Sequence, residues 1–184
     1  RLGFNNDGME IIKNRINSDK KKGILGINIG PNKDTKDQKN DFCLGLKNFF
    51  DTADYVTVNI SSPNTEGLRD FHDQEKLKDL LLALNKIKKE NKTKIPLLLK
   101  ISPDIEDNHI SEIADVATKN DISAVILTNT TNGNRDNLIS EIKKEEGGLS
   151  GEPLQQISTN MNKKFYKQLN GKIPIIGVGG INSG

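Results

Sequence analysis

Five short stretches of the chain are apolar at their start and polar at their end. An apolar run of this length, bounded by turn residues, predicts a strand buried on both faces of a parallel sheet. The polar ends contribute little to packing and are therefore candidates for function. The stretches are residues 23–30 (GILGINIG), 55–63 (YVTVNISSP), 95–102 (IPLLLKIS), 124–131 (AVILTNTT) and 173–180 (IPIIGVGG).

Segments with apolar residues at helical spacing lie between the predicted strands. Residues 8–17 predict a further helix before the first strand. Strands that alternate with amphipathic helices indicate right-handed βαβ units, and therefore an α/β fold with a parallel sheet. The helix-forming apolar residues are Phe42, Leu46, Phe49 and Phe50; Leu77, Leu80, Leu81, Leu84 and Ile87; Ile110, Ile113, Ala114 and Ala117; and Leu154, Ile157, Met161, Phe165 and Leu169.

Two architectures fit this alternation, an open doubly wound sheet and a (β/α)₈ barrel. A doubly wound nucleotide fold usually carries G-x-G-x-x-G after its first strand, and residues 29–33 (IGPNK) lack it. Polar residues instead follow every strand, as in a barrel whose site lies at the carboxyl ends of its strands. A barrel needs eight strands and about 250 residues. We therefore expect residues 1–184 to be a single incomplete barrel domain, truncated at both ends, that is poorly stable and inactive alone.

Composition and charge exclude several classes of function. Lys and Arg total 27 against 25 for Asp and Glu, so a net charge of +2 gives no footprint for nucleic acid. The single cysteine, Cys43, excludes a disulfide framework and predicts a packed, inert thiol. His72 and His109 lie far apart in polar surroundings, where we expect surface residues and no metal site. No apolar run approaches the roughly 18 residues of a membrane span.

The strongest local signal is the end of the second predicted strand. In a barrel, the amide of Asn59 would point into the mouth, with Ser62 just beyond it on a loop stiffened by Pro63. An ordinary polar turn is the alternative. Lys100 interrupts the next apolar run, where a lone cation is costly unless it is paired or holds negative charge on a ligand. A lysine that reaches water from an edge strand is the alternative.

Other strand ends add weaker signals. Asn28, Thr128, Asn129 and Thr130 repeat the polar pattern. The glycine clusters at 147–151 and 178–180 offer unobstructed backbone N–H groups, as phosphate-binding loops do, although each alone is typical of a turn. The polar segment 132–146 is either a functional lid or a plain exposed insertion.

The motifs at these strand ends, taken in order, resemble the dihydroorotate dehydrogenase family, specifically its quinone-dependent class 2 form. The resemblance implies an FMN-containing (β/α)₈ barrel, of which this chain holds strands three to seven. It also implies oxidation of dihydroorotate to orotate in de novo pyrimidine biosynthesis, with a quinone as the final electron acceptor. The matching segments are RLGFNN (1–6), GINIGPNKDT (26–35), NISSPNTEGLR (59–69), LLKISPD (98–104), LTNTT (127–131), GGLSGEPL (147–154) and PIIGVGG (174–180).

The resemblance also implies roles for individual residues. Ser62 resembles the base that takes the C5 proton of dihydroorotate, with Thr65 and Phe4 bordering the water path that assists it. Soluble class 1 relatives use cysteine as the base, so Ser62 indicates class 2; Pro31 stands where the family commonly has lysine. Substrate contacts are implied for Arg1, Leu2, Gly3, Phe4, Asn59, Asn64, Asn129 and Thr130. FMN contacts are implied for Asn28, Asn59, Lys100, Thr128, Gly151 and Gly180.

Class 2 enzymes attach to the membrane through an N-terminal helical pair. The resemblance therefore implies peripheral association with the cytoplasmic side of a bacterial inner membrane, through a segment absent from this chain. Two other interpretations remain open. One is an FMN barrel that acts on a different dihydropyrimidine, and the other is a non-catalytic barrel remnant.

Overall fold

The computed structural model describes residues 5–19, 23–62, 67–133, 135–136, 138–141 and 143–183. All five predicted strands and all five predicted helices are present in it. One element was not predicted, a 3₁₀ helix at Leu68–His72 between β2 and α3. The elements are α1 (Met9–Ser18), β1 (Gly26–Ile29), α2 (Gln38–Phe49), β2 (Tyr55–Asn59), α3 (Gln74–Glu90), β3 (Leu97–Ile101), α4 (Asp107–Lys119), β4 (Ala124–Leu127), α5 (Glu152–Leu169) and β5 (Ile175–Gly177).

The five strands form one parallel sheet in the order β1-β2-β3-β4-β5. Each strand therefore pairs with the next strand along the chain, and a helix makes each connection. This consecutive order is the one that curls into a barrel, whereas a doubly wound sheet reverses its order at a switch point. The architecture is thus an arc of a (β/α)₈ barrel, as the sequence predicts.

The two faces of the sheet differ in chemistry because successive strand residues point to opposite sides. One face packs on the helices and carries fully buried residues such as Val58, Leu99 and Val125. The opposite face carries polar and partly exposed residues. On that face the register places Asn59 beside Lys100, and Lys100 beside Ile126. The lone cation predicted from the sequence therefore lies on the face that lines the interior of a barrel.

Local capping fixes where two of the helices begin. The Asp37 side chain accepts a hydrogen bond from Asn40 N at 2.9 Å and starts α2, and Asp73 accepts one from Lys76 N at 3.0 Å and starts α3. A carboxylate at this position satisfies an otherwise unpaired backbone N–H of the first turn. Asp73 also ends the 3₁₀ helix, so it fixes the point at which the chain leaves the rim of the sheet.

Candidate active site

A chain of hydrogen bonds centred on a buried serine joins the carboxyl ends of β2 and β4. Ser61 Oγ donates to Asn59 Oδ1 at 2.6 Å and accepts from Asn129 Nδ2 at 2.9 Å. Ser61 is 0% exposed and Asn59 is 4% exposed. The structure therefore brings together two of the predicted substrate-binding asparagines. The serine that links them was not predicted as a site residue.

Ser62 follows directly and is 7% exposed, so the predicted base lies at the buried edge of this cluster. The loop beyond it lies outside the described residues, and the predictions for Asn64 and Thr65 fall there. The predictions for Arg1, Leu2, Gly3 and Phe4 also lie outside the described residues. The roles implied for these six residues stay predictions.

Lys100 lies next to Asn59 on the interior face of the sheet. Burial lowers the pKa of its ammonium group below the usual value, and in the described part of the chain no charged neighbour shifts it. A partly buried cation without a counter-ion is costly, because water no longer solvates it fully. An anionic or electron-rich ligand bound at this face would remove that cost.

Two further predicted cofactor residues occupy the same end of the sheet. Thr128 directly follows β4, is 2% exposed and donates its hydroxyl to Asn129 O at 2.9 Å. Asn28, on β1, is exposed and pairs in register with Thr57 of β2. Thr57 lies two residues before Asn59 on the same strand. The backbone N–H of Thr130 donates to Asn129 Oδ1 at 2.8 Å, so Thr130 lies next to the hydrogen-bonded chain Asn59–Ser61–Asn129.

The predicted glycines Gly151 and Gly180 meet at the start of α5. A Cβ on Gly180 would lie 2.7 Å from Gly151 O and 2.8 Å from Gln155 N, and Gly180 has a φ of +71°. Only glycine allows the backbone after β5 to pass this close to the first turn of the helix. The result is a close-packed cradle, formed by the turn after β5 and the N-terminus of α5; helix N-termini of this kind suit phosphate.

Asp104, which follows β3, connects the ends of three strands. It is not part of the hydrogen-bonded chain Asn59–Ser61–Asn129. Its carboxylate pairs with Arg69 Nη2 at 2.9 Å, accepts from Asn132 N at 3.0 Å, and accepts the hydroxyl proton of Thr131. The 3₁₀ helix after β2, the end of β3 and the end of β4 are thereby held together. Arg69 and Asp104 both fall within motifs that carry the family resemblance, but their positions gave no reason to pair them.

The segment between β4 and α5 folds around Arg135. Its guanidinium group donates to Lys143 O at 3.2 Å, to Glu145 O at 3.0 Å and to Gly147 O. Thr131 and Leu149 form an antiparallel bridge at the base of this segment. The segment therefore returns to the end of β4 and brings Gly148 against the side chain of Thr130.

The expectation that both histidines lie at the surface is wrong for His72. Its side chain is buried, with 7% of its surface exposed, because the 3₁₀ helix turns Phe71 and His72 inward together. Burial, followed by the charge of Arg69, lowers the His72 pKa to about 4. His109 is partly exposed and lies 3.2 Å from Glu112.

Three further features concern other classes of function. Cys43 is half-buried and packs against the core; burial raises the pKa of its thiol, which fits the packed thiol expected from the sequence. Among the described residues, no helix is long and apolar enough to span a bilayer. The same residues contain no group of three or more His, Cys, Asp or Glu side chains placed to hold a metal ion.

The fold and the site together define a class of protein, a partial (β/α)₈ barrel with a cluster of polar residues at the carboxyl ends of the strands. The family model for dihydroorotate dehydrogenase matches residues 1–184. The chain belongs to the dihydroorotate dehydrogenase family.

The relatives it matches agree with this assignment. The dihydroorotate dehydrogenase (quinone) of Bartonella tribocorum is 45% identical over 185 residues, which are 98% of this chain and 51% of that protein. The protein of the same name from Vibrio cholerae is 46% identical over 191 residues, covering 100% of this chain and 56% of that protein. The chain therefore spans about half the length of these curated relatives.

Solved structures confirm the fold independently. The crystal structure of Eimeria tenella DHODH in complex with ferulenol matches with a TM-score of 0.92 and 34% identity, over 100% of this chain and 56% of that one. The ligand-free form from the same organism matches with a TM-score of 0.89 and 35% identity, over 98% of this chain and 57% of that one. The prediction of a partial barrel is confirmed.

Proposed function

We propose that this chain supplies strands three to seven of an FMN-dependent barrel that oxidises dihydroorotate to orotate in pyrimidine biosynthesis. The observation that carries the proposal is the hydrogen-bonded chain Asn59–Ser61–Asn129, which adjoins Ser62 and lies beside Lys100, a cation with no charged partner among the described residues. Polar amides, a hydroxyl and a cation on one interior face suit a small, planar, oxygen-rich substrate lying against a cofactor.

The residues present fit FMN. The cradle at Gly151 and Gly180 suits its phosphate, and Lys100 offers positive charge on the face where the ring system would lie. Asn28, Asn59 and Thr128 supply further polar groups at the same end of the sheet. When bound there, FMN supplies the acceptor for the hydride that leaves C6 of dihydroorotate.

The residues of this chain would bind the substrate and take up the proton that leaves its C5. Ser62, which is 7% exposed, takes the proton from C5 of dihydroorotate. A serine hydroxyl is a weak base, so its own proton must pass on; Thr65 and Phe4 would border that path. Asn59 and Asn129 orient the substrate through their amides, with Thr130 beside them. The substrate contacts implied for Asn64 and for residues 1–4 belong to the same proposal.

We extend the proposal to the electron acceptor and to location. The matched relatives are named for quinone, so a quinone would take the electrons finally. The same relationship supports peripheral association with the cytoplasmic side of a bacterial inner membrane. No nucleic-acid partner is proposed, since the net charge is only +2.

The test uses the full-length protein that contains this chain. Purified protein should carry FMN, and anaerobic dihydroorotate should bleach its absorbance, whereas a dihydropyrimidine without the carboxylate should not. Bleaching only by the second compound would show a barrel that acts on a different dihydropyrimidine. Protein without FMN that fails to bind added FMN would show a non-catalytic remnant.

A further inference from the structure

The hydrogen bonds around Ser61 have a fixed direction. Two backbone N–H groups, which can only donate, set it: Ser61 N donates to Asn59 Oδ1 at 3.2 Å, and Thr130 N donates to Asn129 Oδ1 at 2.8 Å. Both amide oxygens are therefore identified as acceptors. The Nδ2 groups of the two asparagines must be donors.

The hydroxyl between them completes the order. Asn129 Nδ2 donates to Ser61 Oγ at 2.9 Å, so the hydroxyl accepts there and turns its own proton toward Asn59 Oδ1 at 2.6 Å. The donor and the acceptor of each of these four hydrogen bonds are therefore fixed. Within the described residues, Asn59 Nδ2 has no hydrogen-bond partner, and Asn129 Nδ2 donates only one of its two N–H groups.

We propose that Ser61 is a positioning residue that presents Asn59 and Asn129 to the pocket as a matched pair of N–H donors. A pocket built this way selects ligands whose facing edge carries acceptor oxygens, such as a carbonyl next to a carboxylate. It disfavours ligands that present N–H or O–H groups on that edge, because two donors would then meet. The inference rests on the proposed function and adds the polarity of its substrate pocket.

Burial makes this role possible. Ser61 is 0% exposed, so water does not compete for its hydroxyl. The loss of the hydroxyl would take away the acceptor of Asn129 Nδ2 and leave Asn59 Oδ1 with only the weaker bond from Ser61 N. Ser62, its neighbour, is the residue assigned to proton transfer. The two serines therefore separate into one that orients the binding amides and one that acts on the substrate.

The first experiment compares Ser61→Ala with the parent in the full-length FMN-loaded protein. The dissociation constant for orotate should rise about tenfold, because two buried hydrogen bonds to the binding amides are lost. The KM for dihydroorotate should rise similarly, while kcat changes much less and FMN content stays at the parent level. Ser61→Cys keeps the volume with a weaker donor, so it should fall between the two and also serves if the alanine variant loses FMN.

A double-mutant cycle shows whether Ser61 acts through the asparagine. Ser61→Ala should weaken orotate binding much less in an Asn129→Ala background than in the parent, since the group it positions is already gone. Ser102→Ala is the matched control, because Ser102 is also 0% exposed and directly follows a strand, β3. Its hydroxyl accepts a hydrogen bond from the backbone of Asp104, at 3.2 Å, and not from an amide side chain. It should leave the orotate dissociation constant unchanged.

The outcomes separate the inference from the function it rests on. If the parent neither binds orotate nor is reduced by dihydroorotate, both are overturned. If the parent does both, but Ser61→Ala and Ser61→Cys bind orotate as the parent does, the inference alone is overturned. Effects of Ser61→Ala and Asn129→Ala that simply add, or an equal effect of Ser102→Ala, would also refute it.

Discussion

Replacing Asp104 by asparagine tests whether the strand ends are held together as the structure indicates. Oδ2 of this carboxylate accepts from Arg69 Nη2 at 2.9 Å and from Asn132 N at 3.0 Å, and Oδ1 accepts from Thr131. Asparagine has nearly the same shape but no charge and only one acceptor oxygen. The change therefore removes the ion pair and at least one hydrogen bond without creating a cavity.

The expected loss lies between two reference cases. Exposed ion pairs contribute about 0–1 kcal/mol, whereas breaking a fully buried pair costs about 3–5 kcal/mol. The side chains of Arg69 and Asp104 are 30% and 23% exposed, so this pair is partly screened by water. Hydrogen bonds to a charged group contribute about 1.5–3 kcal/mol each when buried, and some of that remains with asparagine. We expect Asp104→Asn to lower the free energy of unfolding by about 2 kcal/mol.

Urea unfolding of the full-length protein, followed by circular dichroism, measures this loss. Asp115→Asn is the matched control, because Asp115 pairs with Lys119 at 2.8 Å with both side chains well exposed, at 46% and 70%. The control should cost less than about 0.5 kcal/mol. If Asp104→Asn costs no more than Asp115→Asn, Asp104 does not hold the strand ends together and the reasoning is refuted.

Three other substitutions test the site and its surroundings. Lys100→Met should weaken FMN binding at least about tenfold in a fluorescence titration without lowering the free energy of unfolding of the FMN-free protein, because it removes a poorly solvated cation; unchanged FMN affinity would contradict its role. Gly180→Ala should cost about 1–3 kcal/mol more than Gly171→Ala, since both glycines have positive φ but only Gly180 is crowded, and equal costs would exclude the close approach. His72→Gln removes a group whose pKa falls from 6.5 to about 4 on folding. As the pH falls, the unfolded state therefore takes up the proton before the folded state does. The free energy of unfolding of the parent should fall by on the order of 2–3 kcal/mol relative to this variant between pH 6.5 and 4. Parallel pH profiles of stability for the two proteins would contradict that.

The fold could be predicted because its signals are local. Short apolar runs that alternate with helical spacing predict a parallel α/β sheet. The polar residues after every strand and the missing G-x-G-x-x-G then favour the consecutive order from β1 to β5 that the structure has. Lys100 could be predicted as an interior residue for the same reason, since it occupies a strand position whose neighbours are all apolar.

The site was predicted less completely, because its partners are far apart in sequence. Ser61 contacts Asn129 across 68 residues, and Arg69 contacts Asp104 across 35. Neither spacing is periodic, so no pattern along the chain pairs them. His72 was misassigned because its polar sequence neighbours suggested the surface, whereas the 3₁₀ helix, which has no periodic signal, turns it inward.

The most direct test of the account is the rate at which dihydroorotate bleaches the flavin of the full-length protein in one anaerobic turnover. The account predicts rapid bleaching in the parent and in Ser111→Ala, where the serine is exposed on α4 and its hydroxyl donates to Asn108 O at 3.1 Å. Ser62→Ala should retain FMN and bind orotate, but it should bleach about 10² times more slowly or worse, because the general base is lost. Equal rates for Ser62→Ala and the parent, or no bleaching of a flavin-loaded parent, would contradict the account.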